Sequence, residues 1–130
     1  MSDKGKEGVA YQRTHARPLA APYLEFDLAT ELDLLHREDG WKSGQNARTL
    51  VKFDTLRVVL TALKARSQLP QHRTEGRVSI QTIHGHVRVR AEGRTFDMAT
   101  GSLLALDAGV PHDVEALQDS AILITIAWPG

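Results

Sequence analysis

The sequence predicts an all-β domain, a sandwich or barrel of short antiparallel strands preceded by one short α-helix. Beyond Trp41 the chain divides into short runs rich in Val, Ile, Leu and Thr, separated by Gly, Pro and Asp, which is the texture of strands and turns. One segment alone, Asp27 to Glu38, repeats its leucines at helical spacing, at Leu28, Leu32 and Leu35. Glycine also stands where a tight reversal needs positive φ, in Glu92-Gly93, Thr100-Gly101 and Ala108-Gly109.

Taken in order, residues 1 to 22 are polar, carry Pro18 and Pro22 and show no hydrophobic period, so they read as a loose arm before a single domain at 23 to 130. The first eight residues are polar and mixed in charge, with no apolar run behind them that could form a signal peptide. No stretch approaches the ~20 apolar residues of a spanning helix, so the expectation is a cytoplasmic protein that does not enter a membrane. The helix is expected over Asp27 to Glu38, with Gly40 following as a stop signal.

Eight strands follow in the reading: 49–53, 56–65, 77–84, 86–91, 94–98, 103–107, 113–117 and 121–128. Glu92-Gly93 has the form of a two-residue hairpin turn. Strands 56–65 and 121–128 are apolar at both parities, so each face needs a cover: the second sheet, the Leu28 helix or a partner subunit. That double-sidedness predicts a homodimer.

Composition narrows the function. At 130 residues the chain has the size of one domain. Its 16 Lys and Arg balance 16 Asp and Glu, leaving no net field to draw it onto nucleic acid or an anionic membrane. The absence of cysteine removes disulfides, thiolate nucleophiles and sulfur-ligated zinc, so any metal would be held by imidazole, carboxylate or amide groups. No glycine-flanked nucleophile elbow and no phosphate-cradling glycine loop is present, which disfavours hydrolase and nucleotide-binding chemistry.

Two spaced motifs remain. His72-Arg73-Thr74, Val78 and Gly85 form the first; Gly101, Asp107, Gly109 and His112 form the second. In spacing, and in part in identity, they resemble the two motifs of the small single-domain cupins over Leu50 to Trp128. The resemblance implies a double-stranded β-helix, or jelly-roll barrel, with a short N-terminal helix. In metal-binding cupins the pattern implies three histidines and a glutamate around one divalent ion. Here Thr74 replaces the second histidine, Val78 the glutamate and Asp107 a proline, so His72 and His112 are left.

The resemblance thus marks His72, His112, Thr74, Val78 and Ile80 as candidate ligand-binding residues. His72 and His112 are candidate ligands for a divalent metal such as Fe, Mn, Zn or Ni, with Glu75 or Gln71 as outside help. Against this stand plainer readings: hydrogen-bonded histidines lining a polar mouth, and an inward Val78, Ile80 and Thr82 that simply fill the core. Arg88, Arg90 and Arg94 form an outward basic stripe, read as a solvated face rather than a phosphate grip. His84-Gly85-His86 is expected as an exposed turn at the far end, and Trp41 and Trp128 as seals for the helix or a dimer seam.

Three functions stay open: a module that binds or senses a small molecule at the barrel mouth, a metal-dependent oxygenase or isomerase with an incomplete site, and a dimeric interaction module. The ligand's identity is not readable from the residues.

Overall fold

A computed structural model describes residues 17–130. The arm expected at residues 1 to 22 falls largely outside that range. Of its remainder, Arg17 pairs with Glu31 at 3.1 Å, and the Leu19 carbonyl accepts the Lys52 backbone N–H at 2.7 Å.

The helix forms where its leucines recur, as α1, Leu28–Arg37. Asp27 caps it by accepting the N–H groups of Ala29 and Thr30, satisfying donors that a helix start leaves orphaned. Gly40 is not the stop. The chain continues through a 3-10 turn, Asp39–Ser43, and Gly44, at φ 108°, takes the left-handed position. Gly40 is small for another reason: a Cβ there would meet the Asn46 side chain at 2.9 Å.

Nine strands follow among the described residues: β1 Gln45–Lys52, β2 Leu56–Leu63, β3 Gln68–His72, β4 Arg77–His84, β5 His86–Ala91, β6 Arg94–Ala99, β7 Leu103–Leu106, β8 His112–Ala116 and β9 Ser120–Ala127. Eight correspond to the runs read from sequence. The ninth, β3, is a correction: its inward residues are few, and Pro70 carries no N–H, which a strand tolerates only at an edge. β3 is an edge strand. The two antiparallel sheets have orders β1-β2-β9-β4-β7 and β3-β8-β5-β6.

From β2 onward successive strands run in opposite directions and, apart from the β5–β6 hairpin, cross between the sheets, so every second connection lies at the same end. The turns at 73–76 and 107–111 mark one end, here the mouth, with the β5–β6 hairpin beside them; the His84-Gly85-His86 bend and the 117–119 loop mark the other. The hairpin turn has φ 53° at Glu92 and 72° at Gly93, as a two-residue primed turn requires.

Two apolar layers hold the molecule together. Between the sheets lie Leu63, Val78, Ile80, Val87, Val89, Met98, Val114, Ala116 and Ile122. Leu35 of α1 closes over Leu50, Leu60 and Ala62, with Leu123 and Trp41 packed alongside. The second layer accounts for the two-sided β2 and the Leu123 face of β9: their outer faces meet α1. The five-stranded sheet is therefore a middle layer for part of its width. Each fully buried Leu, Ile or Val contributes roughly 1.5–3 kcal/mol of stabilisation relative to exposure.

No described helix is long and apolar enough to cross a membrane.

Candidate functional site

At the mouth, the last residue of β3 and the first of β8 are cross-strand partners, His72 opposite His112. Their rings lie 4.5 Å apart, centroid to centroid, tilted by 55°. His112 is 3 % exposed and His72 is exposed. Parity fixes the direction: His112 shares the face of Val114 and Ala116, which lie in the inter-sheet core.

Each ring is oriented by its own backbone. His72 Nδ1 lies 3.1 Å from the Pro70 carbonyl, and His112 Nδ1 lies 3.0 Å from that of Val110. A carbonyl only accepts, so each Nδ1 carries the hydrogen and donates. In the neutral ring Nε2 is then a bare lone pair, and both histidines present that atom away from the backbone.

Beside His72 the sandwich is open along the edges of β1 and β3. The opening is a cleft of about 500 Å³, lined by Ala47, Thr61, Leu69, Pro70, His72 and Ile124. The amides of Gln45 and Gln71 stand at its border. Its surface is mainly apolar with a few polar groups, as small-molecule sites commonly are.

The other residues marked from sequence fall elsewhere. Val78 and Ile80 are 4 % and 1 % exposed within the closed inter-sheet core; they pack the barrel and do not line the cleft. Thr74 is a loop clasp: its hydroxyl donates to the Gly76 carbonyl at 2.8 Å, while its own carbonyl accepts the Gly109 N–H at 2.8 Å. Glu75 is exposed in the same loop.

The donor set fits a resident metal poorly. Among the described residues no group of three or more His, Asp, Glu or Cys side chains is placed to share an ion, so Glu75 does not complete the histidine pair. Two imidazoles fall short of the three protein ligands of an open catalytic site.

The remaining motif residues have structural work. At Gly85, with φ 90°, a Cβ would meet the Ser120 hydroxyl and the Asp119 carbonyl; the Ser120 hydroxyl accepts the His86 N–H at 3.0 Å. His86 Nε2 lies 2.6 Å from Asp97 at the far end. Part of the basic stripe is paired on its own sheet: Arg90 with Asp113 and Glu115 at 3.0 and 2.9 Å and Arg88 with Asp97 at 4.0 Å, while Arg94 lies over the Phe96 ring. Hydrogen bonds to those two carboxylates raise the Arg90 pKa further. Trp41 packs in the helix layer, while Trp128 lies against Arg57.

Sequence reasoning missed an ionic cluster under α1. Arg48, 7 % exposed, bonds Glu31 and Glu38 at 3.2 Å each. Asn46 donates to Glu38 at 2.8 Å and to the Leu35 carbonyl at 3.0 Å. Asn46 also borders the cleft, so one residue of β1 adjoins both the helix and the cleft. Charged residues at Glu31 and Arg48 read as surface in a sequence; only the partners reveal burial.

Similar solved structures share this architecture at low identity. A conserved protein of unknown function from Streptococcus pyogenes is 22 % identical with TM-score 0.63, the match covering 66 % of this chain and 75 % of that one. A cupin superfamily protein from Desulfitobacterium hafniense is 12 % identical with TM-score 0.64, covering 65 % and 78 %. An RmlC-like cupin from Desulfovibrio desulfuricans is 25 % identical with TM-score 0.61, covering 66 % and 84 %. No curated protein sequence matches the chain. Residues 58–124 match the family described as AraC-like ligand binding domain. That span is more than half of the chain and runs from β2 through most of β9, the greater part of both sheets; the protein is a small cupin-fold member of the AraC-like ligand binding domain family.

Proposed function

We propose that this domain binds a small organic molecule, and so senses or carries it, in the cleft between the β1 and β3 edges. The observation that carries the reading is the pair of histidines whose Nδ1 atoms are both committed to backbone carbonyls, with His72 forming part of an apolar cleft of about 500 Å³. The bare Nε2 of His72, with the buried His112 ring packed behind it, suits a ligand with a hydroxyl or N–H donor, and Leu69, Pro70 and Ile124 suit an apolar body. The family's description as a ligand-binding domain supports the same reading.

A metabolite screen by thermal shift and ligand-observed NMR tests this. Hits should raise Tm of the wild type and lose that effect when His72 and His112 are both replaced by alanine. A screen in which nothing binds, or in which every hit survives the double replacement, overturns the reading.

A further inference from the structure

The five-stranded sheet presents two cations at the mouth end of its inner face. Arg57 of β2 is the cross-strand partner of Ile126 in β9, and Ile126 is the partner of Val78 in β4. Opposed residues of an antiparallel pair share a face. Val78 lies in the inter-sheet core and Ile126 packs against it, so Arg57 projects from the same inner face. On its other side Arg57 is paired with Lys52 of β1, which therefore stands on that face too. His72 and His112 occupy the corresponding mouth-end positions of the facing sheet.

Among the described residues neither cation has a carboxylate partner. Every ion pair of the described residues runs elsewhere, and Asp54 in the intervening β1–β2 turn takes part in none. Arg57 Nε is buried without a hydrogen bond. The guanidinium lies 5.4 Å from the centroid of the Trp128 ring, and Trp128 is itself tied to Thr55 through its backbone N–H at 3.0 Å. The aromatic face orients the fork but cannot accept its N–H groups as an anion would. Two like charges opposed on one sheet face are mutually destabilising. Arg57 thus differs from Arg48, Arg77 and Arg90, each of which meets a carboxylate, and its buried, unbonded Nε sets it apart among the described residues.

We propose that Arg57 and Lys52 bind the anionic head, a carboxylate, of a ligand whose apolar body lies in the neighbouring cleft. Ile124, which lines the cleft, is one inward position along β9 from Ile126, a rise of about 7 Å. That separation is within the length of one small organic acid. The proposal rests on the small-molecule reading above and adds the charge class of the ligand. Arg57 supplies the planar fork that matches a carboxylate in two bonds, and Lys52 adds a point charge from the rim.

The test is a titration of the ¹⁵N-labelled full chain with sodium benzoate and with benzamide, its neutral counterpart of nearly equal shape, followed by NMR. Benzoate should shift the backbone resonances of Lys52 and Arg57 and the Trp128 indole signal, and should bind at least tenfold more tightly than benzamide. Arg57→Gln, checked for native dispersion of its spectrum, should weaken benzoate roughly tenfold or more, since a hydrogen bond to a charged group is being lost. Arg57→Lys should retain part of the affinity. Inorganic phosphate, without an apolar body, should bind more weakly than benzoate.

Equal affinity for benzoate and benzamide, or benzoate binding untouched by Arg57→Gln, overturns the proposal and leaves the small-molecule reading standing. Phosphate binding as tight as benzoate overturns the joint use of cleft and cations. Silence toward benzoate together with neutral hits in the metabolite screen removes only the charge class; silence in both removes both readings.

Discussion

Glycine is required at two motif positions for different physical reasons. At Gly85 the obstacle is space as well as φ, because a Cβ would collide with the Ser120 hydroxyl and the Asp119 carbonyl. At Gly101, with φ 93°, nothing lies within 4 Å, so alanine there costs only the left-handed backbone, about 1–2 kcal/mol. Gly85→Ala is therefore expected to destabilise more than Gly101→Ala in urea denaturation, and equal losses would refute the steric account. Asp107 is the second residue with a legible energetic signature. The Ala108 backbone N–H, and after it the Arg77 guanidinium, hold its carboxyl below the usual aspartate pKa. A depressed carboxyl stabilises the fold above its unfolded value, about 3.9, and loses that contribution as pH falls through the folded value. The stability difference between wild type and Asp107→Asn should thus be present at pH 6 and shrink toward zero in acid; a difference that grows in acid would contradict it. Because the group is fully exposed, the effect is small.

Among the elements, α1 and β3 show what patterning can and cannot convey. The leucine repeat at Leu28, Leu32 and Leu35 marked the helix, and Leu35 indeed closes over Leu50 and Leu60. The polar side of the same helix carries Glu31, which is 7 % exposed because Arg48 and Arg17 meet it. Arg48→Ala removes the charge that Glu31 and Glu38 share, and truncating one partner of a buried pair costs about 3–5 kcal/mol. The expected result is a lowered urea midpoint with α1 loosened from β1, visible as loss of amide protection at Leu32 to Leu35. Unchanged protection would show that apolar contacts alone dock the helix. β3 escaped detection because an edge strand needs little apolar alternation and admits Pro70. It nonetheless places His72, so the least strand-like segment carries half of the histidine pair.

For the molecule as a whole, the decisive fact is the closure of two sheets that brings residues 72 and 112 into register. Val78 and Ile80 illustrate the same closure from the inside: read as candidate ligand contacts by motif position and parity, they lie in the buried apolar layer between sheets. Ile80→Ala should cost about 2–5 kcal/mol of stability, the range for a truncated core isoleucine, as read by chemical denaturation. A stable variant with altered ligand binding would return Ile80 to the site. The outer faces of β2 and β9, which suggested a partner subunit, are met in part by α1. The sandwich is left open along β1 and β3, and that asymmetry creates the cleft.

The residues alone determined the strand-rich class, the helix and the glycine turns, because these depend on local periodicity and backbone freedom, and the motif resemblance related His72 to His112. Tertiary structure decided the rest: which of two apolar faces meets the helix, that Glu31 and Arg48 are buried, and that Arg57 and Lys52 share an unneutralised inner face. Those properties arise from contacts between positions far apart in the chain, and a side chain's charge or greasiness does not say what will stand opposite it.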